Sequence, residues 1–402
     1  MSTKNDVIEY VRQNGVKFVK LTFCDLLGRQ RNISVLSSQL DDAYKNGVAI
    51  DSSAMTGVGG VDLKLIPYTS LMTDLPWRPH SGKVVSVFCN VANIDCTPYA
   101  CDPMVLLERQ VEKLAELGLS AQVATECEFY VFKDDGDGQA LQPIDNADYC
   151  ACSPFDKCEN LRREVILSLE EMGLKPISSH HERGRGQNEI DFERADPVAA
   201  ARNFVMFKAA VKNVCSINGT IASFMPKPIS TEPGSGLHLS ITLSGKNAAA
   251  ASKSFAEGVL RRYRDITCLA NPTLNSYKRL GKAYKISYGE NRGRAMRIFG
   301  KDNVIQLRTP DSSCNLFAVL ALIFAAGREG IENKYALRGA GEGEEYIFDG
   351  IRDAVDFAQK SEWLHANLPV ELDNVLDTMR QRNDAARALE TDRDFFEFYS
   401  DV

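Results

Sequence analysis

Side chains on a β-strand point to opposite faces in turn, so two carboxylates spaced two residues apart share a face. Residues 123–132 read as such a strand, with Glu126 and Glu128 on one face and Val123, Cys127, Phe129 and Val131 on the other. Like charges side by side are unfavourable unless water or a cation lies against them. Three further segments follow the same rule. Glu189 and Asp191 share a face opposite Ile190 and Phe192. His238, Ser240 and Thr242 oppose Leu237, Leu239, Ile241 and Leu243. Gln306 and Arg308 oppose Ile305 and Leu307. Any one of these alone is an ordinary sheet strand with one wet face. Together they predict a sheet with a chemically equipped polar face.

Carboxylates with a single imidazole form a hard-to-borderline ligand set, better suited to Mg²⁺ or Mn²⁺ than to a sulfur-bound ion. Such ions usually accompany phosphates. Arg279, Arg292, Arg294, Arg297 and Arg308 supply guanidinium groups that bind carboxylate or phosphate in pairs of hydrogen bonds. Gly234-Ser235-Gly236, just before His238, lets backbone approach a ligand closely.

A net charge of −7, with 47 basic and 54 acidic residues, argues against a nucleic-acid binder. The first residues hold no apolar targeting core. The longest apolar run, 316–327, is too short for a bilayer and reads as a buried helix. Eleven scattered cysteines are expected as reduced thiols of a cytoplasmic protein. Cys150, Cys152 and Cys158 match no paired zinc spacing.

The expected fold class is α+β, because strands and helices alternate irregularly. A short helix is predicted over 6–14 and strands over 16–24 and 84–91. Residues 47–77, rich in Gly, Ser, Asp and Pro, are expected to form long loops. Asp102-Pro103 opens a helix, with Asp as N-cap and Pro in the first turn. A boundary is placed in 93–102, giving domains 1–100 and 101–402.

These segments resemble the glutamine synthetase family in its bacterial type I form. The resemblance runs from about Val16 to about Lys334. It is carried by Ala49-Ile50-Asp51-Ser52-Ser53, Glu126-Cys127-Glu128-Phe129, and His180-His181-Glu182 leading to Gly186-Gln187-Asn188-Glu189. It continues through Met225-Pro226-Lys227-Pro228, Gly234 to His238, Asn271 to Arg279, Asn291-Arg292 and Arg308-Thr309-Pro310-Asp311. The resemblance implies an N-terminal β-grasp domain and a catalytic domain on a curved antiparallel sheet. It further implies a homo-oligomer, a dodecamer of two hexameric rings, in which Asp51 serves a site completed by another chain. The implied partners are small molecules: ATP as co-substrate, a glutamate-like acid and an amine, with no nucleic acid and no membrane.

By the same resemblance Glu128, Glu182 and Glu189 hold one metal, and Glu126, His238 and Gln306 match the ligands of the second. Gly234, Arg279 and Arg308 match acid-binding residues. Arg292 and Arg297 match phosphate-binding residues, and Ser240 to Thr242 lie where the nucleotide binds. Two positions depart from the family pattern. Lys285 stands where a carboxylate of the ammonium site is usual, and Gln306 where a metal-binding Glu is usual. They make the cleft about three charge units more positive, which matters where water is excluded. Pro233, Ala54 and a shorter, weakly matched tail after Lys334 depart less. Three functions remain open. One is a ligase joining glutamate or an analogue to an amine other than ammonia. Another is glutamine synthesis, with Asp51 and Glu290 compensating. The third is a weakly active binding or regulatory protein in which Lys285 replaces the ammonium ion.

Overall fold

The structure is a computed structural model that describes residues 3–57, 59–77, 82–134, 141–281, 285–301, 303–343, 347–368 and 371–402. The first part of the chain runs α1 (Lys4–Gln13), β1 (Phe18–Cys24), β2 (Gln30–Leu36), α2 (Leu40–Asn46), β3 (Val48–Asp51), α3 (Ser53–Thr56), β4 (Asp62–Asp74) and β5 (Val84–Asn93). Its five strands form a sheet ordered β2-β1-β5-β4-β3, in which only β1 and β5 run parallel. Val7, Val11, Leu21, Leu63, Leu65 and Val87 belong to its own core. The long loops expected over 47–77 are therefore replaced largely by β3 and the thirteen-residue β4. Leu63, Leu65 and Pro67 are buried in alternation with the partly exposed Lys64 and Ile66, and the register with β5 slips between Pro67 and Met72.

The larger part continues with α4 (Pro103–Glu116), β6 (Leu119–Lys133), α5 (Glu159–Glu171), β7 (Pro176–His181), β8 (Gln187–Phe192), α6 (Pro197–Ile217), β9 (Thr220–Ser223) and β10 (Leu237–Gly245). Then come α7 (Ala248–Arg261), α8 (Tyr263–Ala270), α9 (Leu274–Leu280), β11 (Lys285–Tyr288), β12 (Arg294–Phe299), β13 (Val304–Leu307) and α10 (Leu316–Glu332). Four helices close the chain: α11 (Ile351–Lys360), α12 (Glu362–Asn367), α13 (Leu372–Ala386) and α14 (Asp392–Phe398). Asp102 caps α4 by accepting from the Met104 amide at 2.9 Å, a contact of about 1 kcal/mol.

Eight strands make the second sheet, in the order β11-β12-β13-β10-β6-β8-β7, with β9 on the far end of β6. It is antiparallel except where β11 runs parallel to β12. Its apolar face rests on helices, of which α10 is the most deeply placed: every residue from Leu316 to Gly327 is buried. Gly258 of α7 and Gly330 of α10 let two helix backbones touch, since a Cβ on Gly330 would lie 2.0 Å from the Ser254 carbonyl oxygen. Asn315 caps α10 by accepting from the Ala318 amide and ties that helix to the turn after β1 by donating to the Asp25 carbonyl at 3.0 Å.

Candidate active site

Strand register assembles the polar face. Glu126 of β6 pairs with His238 of β10 on one side and Asp191 of β8 on the other. Two residues along, Glu128 pairs with Glu189, which pairs with His180 of β7. Ser240 pairs with Gln306 of β13, and Gln306 pairs with Arg297 of β12. Because side chains alternate, each row projects to the same face as its neighbours.

On this face, among the described residues, two groups of side chains converge closely enough to hold an ion. Glu126, Glu189 and His238 offer ligand atoms within 4.8 Å of one another, and so do His180, Glu182 and Glu189. Glu189 belongs to both. His180 Nε2 lies 3.1 Å from Glu182 Oε1 and 3.5 Å from Glu189 Oε2. His238 Nδ1 lies 3.1 Å from Glu126 Oε2. Glu128 is in neither group; its Oε2 accepts from the Gly236 amide at 2.9 Å and from Gln187 Nε2 at 3.2 Å. Burial, together with the neighbouring charges of Glu128 and Asp191, pushes the Glu189 carboxyl far above the usual range. Burial likewise raises Glu128. Burial also works against Glu126, but His238, Arg308 and Gln306 outweigh it and hold that carboxyl low. A divalent cation fits this donor set, because it would relieve the repulsion centred on Glu189 with oxygen and imidazole ligands.

The basic wall lies alongside. Gln306, buried on β13, donates from Nε2 to Glu126 Oε1 at 2.9 Å, and its Oε1 accepts from Arg297 and Arg308 at 3.3 Å each. Arg279 of α9 donates to the carbonyls of Thr309 at 2.7 Å and Arg308 at 3.0 Å. Gly234 and Gly236 give it room: a Cβ on Gly236 would sit 2.6 Å from an Arg279 guanidinium nitrogen and 3.2 Å from His238 Nε2. Thr242 is buried, and among the described residues its hydroxyl has no hydrogen-bond partner. Arg292 is exposed between β11 and β12, and the half-buried Lys285 opens β11, opposite Arg294. Asp51 ends β3 on the other sheet, where its exposed carboxylate accepts from the amides of Ser53 and Gly60 at 2.9 and 3.1 Å.

Three residues join the site that the sequence reading had given no role. His180 shares the strand face of Glu182 by period two, so its position was legible. Tyr149 stacks edge-on to His180 at 5.5 Å, with the Arg183 guanidinium 4.8 Å from its ring centre. Gln187 ties Glu128, Gly234 and Ser235 together at 3.2 Å each, a contact no local pattern announces. A buried group behind the site, Asp145, Asp156 and His181, also has metal-like spacing. There Asp156 pairs with Arg162, and His181 bridges Asp145 and the Glu182 carbonyl.

The sequence matches the family models described as "Glutamine synthetase, beta-Grasp domain" over residues 15–94 and "Glutamine synthetase, catalytic domain" over residues 100–402. The chain belongs to the glutamine synthetase family. The family match continues past Lys334 to residue 402, so the C-terminal helices are part of it. The chain is 36% identical to a glutamine synthetase of Clostridium saccharobutylicum over 96% of this chain and 91% of that one. It is 36% identical to one of Methanosarcina mazei over 83% and 80%. A ligand-free GmaS structure superposes with a TM-score of 0.88 at 25% identity, covering 96% of this chain and 97% of that chain. Plasmodium falciparum glutamine synthetase shares the fold, with a TM-score of 0.87 at 18% identity and 98% coverage of both chains. The N-terminal sheet is thus a glutamine synthetase β-grasp domain, and the larger sheet carries the catalytic domain of a ligase family that uses ATP and divalent metal. The sheet expected to be antiparallel is mixed, through the β11–β12 pair. No described helix is long and apolar enough to cross a membrane.

Proposed function

We propose that this chain is an ATP-dependent ligase that activates the γ-carboxyl of glutamate, or a close analogue, and joins it to an amine other than ammonia. The observation that carries the reading is the coexistence of the acid–imidazole cluster around Glu189 with a lysine, Lys285, at the opening of β11. The first keeps the means to activate a carboxylate. The second puts a fixed cation where the family resemblance expects a carboxylate for NH₄⁺.

The chemistry follows from what leaves well. A carboxylate oxygen is a poor leaving group. In the proposed sequence a γ-carboxylate oxygen attacks the γ-phosphorus of ATP, the bond to the β-phosphate oxygen breaks, and ADP departs. The amine nitrogen then attacks the acyl carbon, phosphate leaves, and the nitrogen gives up its proton to a carboxylate base. Mg²⁺ or Mn²⁺, when bound by Glu126, Glu182, Glu189 and His238, supplies charge neutralisation for the phosphate oxygens. Arg279 and Arg308 orient the acid; Arg292 and Arg297 meet phosphate; Ser240 and Thr242 face the nucleotide. Asp51 from a neighbouring copy serves as the base, in a homo-oligomer that we take to be a cytoplasmic dodecamer of two rings.

A second reading, glutamine synthesis from ammonia, is favoured by the curated relatives named glutamine synthetase. Lys285→Glu separates the two. The variant is expected to gain ammonia-dependent phosphate release of about tenfold or more over the parent. A parent already as fast with ammonia as the variant would refute the proposal.

A further inference from the structure

Gln306 touches both halves of the site, the acid cluster and the basic wall. Its side chain makes four described hydrogen bonds. Its amide nitrogen donates to Glu126 Oε1 at 2.9 Å and reaches Ser240 Oγ at 3.4 Å. Its amide oxygen accepts from Arg297 and from Arg308, at 3.3 Å each. The side chain is buried, so each of these exchanges would be felt in full.

An amide has one acceptor end and one donor end, and the neighbours decide which way it faces. To coordinate an ion held at Glu126, Gln306 would have to turn its oxygen toward that carboxylate. The NH₂ group would then face two guanidiniums, which can only donate. Two charge-assisted hydrogen bonds would be lost, and four donors would crowd one another. The present orientation satisfies every neighbour: the carboxylate meets a donor and the guanidiniums meet an acceptor. Among the described residues the buried Arg297 Nε has no hydrogen-bond partner, and Gln306 Oε1 is the acceptor described for that guanidinium.

We propose that Gln306 is a positioning residue and not a cation ligand. It fixes the rotamer of Glu126 from behind and gives Arg297 and Arg308 a common neutral anchor. The cation position beside Glu126 is then made by Glu126, His238 and Glu189, which already converge within 4.8 Å. The neutral anchor has a second consequence. A carboxylate at this position would cancel part of the charge of the two guanidiniums, whereas the amide leaves that charge for an anionic ligand.

This inference rests on the cation site of the proposed function but not on the identity of the amine, so the two can fail separately. The test is Mn²⁺ binding by the full chain without nucleotide. It is followed through the electron paramagnetic resonance of free Mn²⁺ and accompanied by a Mn²⁺-loaded crystal structure. In the loaded structure the Gln306 side chain is expected to stay out of the coordination sphere, with Nε2 on Glu126 and Oε1 on the guanidiniums. Gln306→Glu is expected to tighten Mn²⁺ at the position beside Glu126 about tenfold or more, because a carboxylate can turn one oxygen to the ion and keep the other on a guanidinium. Gln306 Oε1 at bonding distance from the ion would overturn the proposal. An unchanged affinity in Gln306→Glu, or no Mn²⁺ bound by the parent protein, would overturn it as well.

Discussion

Individual residues decide how this site is charged. Gly236 illustrates how little space there is. With Gly236→Ala, a methyl group would press on Arg279 and His238. The expected outcome is a KM for the acid raised about tenfold, with nucleotide affinity changed less than about twofold, measured by steady-state kinetics and calorimetry. Away from the site, Glu257 is held by a fork from Arg338 at 3.0 and 2.9 Å and by Arg261 at 3.0 Å. Burial pushes the Glu257 carboxyl up, but the two guanidiniums more than offset this and its net shift is downward. A carboxyl lowered in the folded state contributes stability above its unfolded value, near pH 4.5, and loses it as pH falls through the folded value. Glu257→Gln is expected to cost about 1–3 kcal/mol at pH 7, the range for hydrogen bonds to a charged group. That deficit should shrink below pH 4.5, as read from unfolding midpoints at the two pH values; a deficit that grew on acidification would contradict the account.

Among the elements, parity was legible in the sequence and register was not. Glu126 with Glu128, and His238 with Ser240, could be assigned to one face because period two is local. That His238 would land opposite Glu126, and Glu189 opposite His180, depends on which strands pair, and no single segment encodes it. The same limit hid the orientation of Gln306, which is set by arginines on β12 and just beyond β13. The strand β4 was hidden for another reason: Pro67 and the Gly-rich approach look like loop chemistry, and only tertiary pairing to β5 reveals the strand. The helix at 316–327 and the capped start at Asp102 were legible, because an all-apolar run and a cap are local signals. The contact between α7 and α10 makes a prediction of its own. Alanine in an exposed helix normally gains about 0.5–1 kcal/mol over glycine. Gly330→Ala is expected instead to destabilise by about 1–3 kcal/mol, since its Cβ would meet the backbone of α7. An unfolding midpoint at or above that of the parent would contradict the close packing.

For the whole molecule, the two sheets carry different parts of the proposed chemistry. The acid cluster and basic wall lie on the catalytic sheet, and Asp51 lies on the β-grasp sheet with its carboxylate turned into its own loop. If Asp51 serves a neighbouring copy, then mixing subunits of Asp51→Asn with subunits of Arg308→Gln should restore part of the activity that each lacks alone. Mixed assemblies would contain some sites with both residues intact. Absence of any recovery after confirmed subunit exchange would place the base elsewhere. The family resemblance made the β-grasp and catalytic parts and the clustering of carboxylates legible together. It could not reveal what a changed charge at Lys285 does to the nucleophile, because that depends on water exclusion in the assembled cleft.

The most direct measurement is phosphate release from ATP and glutamate by the purified protein with Mg²⁺ or Mn²⁺, across a panel of amines that includes ammonia. The account predicts that a primary amine raises turnover at least about tenfold more than ammonia at equal concentration, with the corresponding γ-glutamyl amide as product. Robust turnover with ammonia, and no amine that exceeds it, would contradict it.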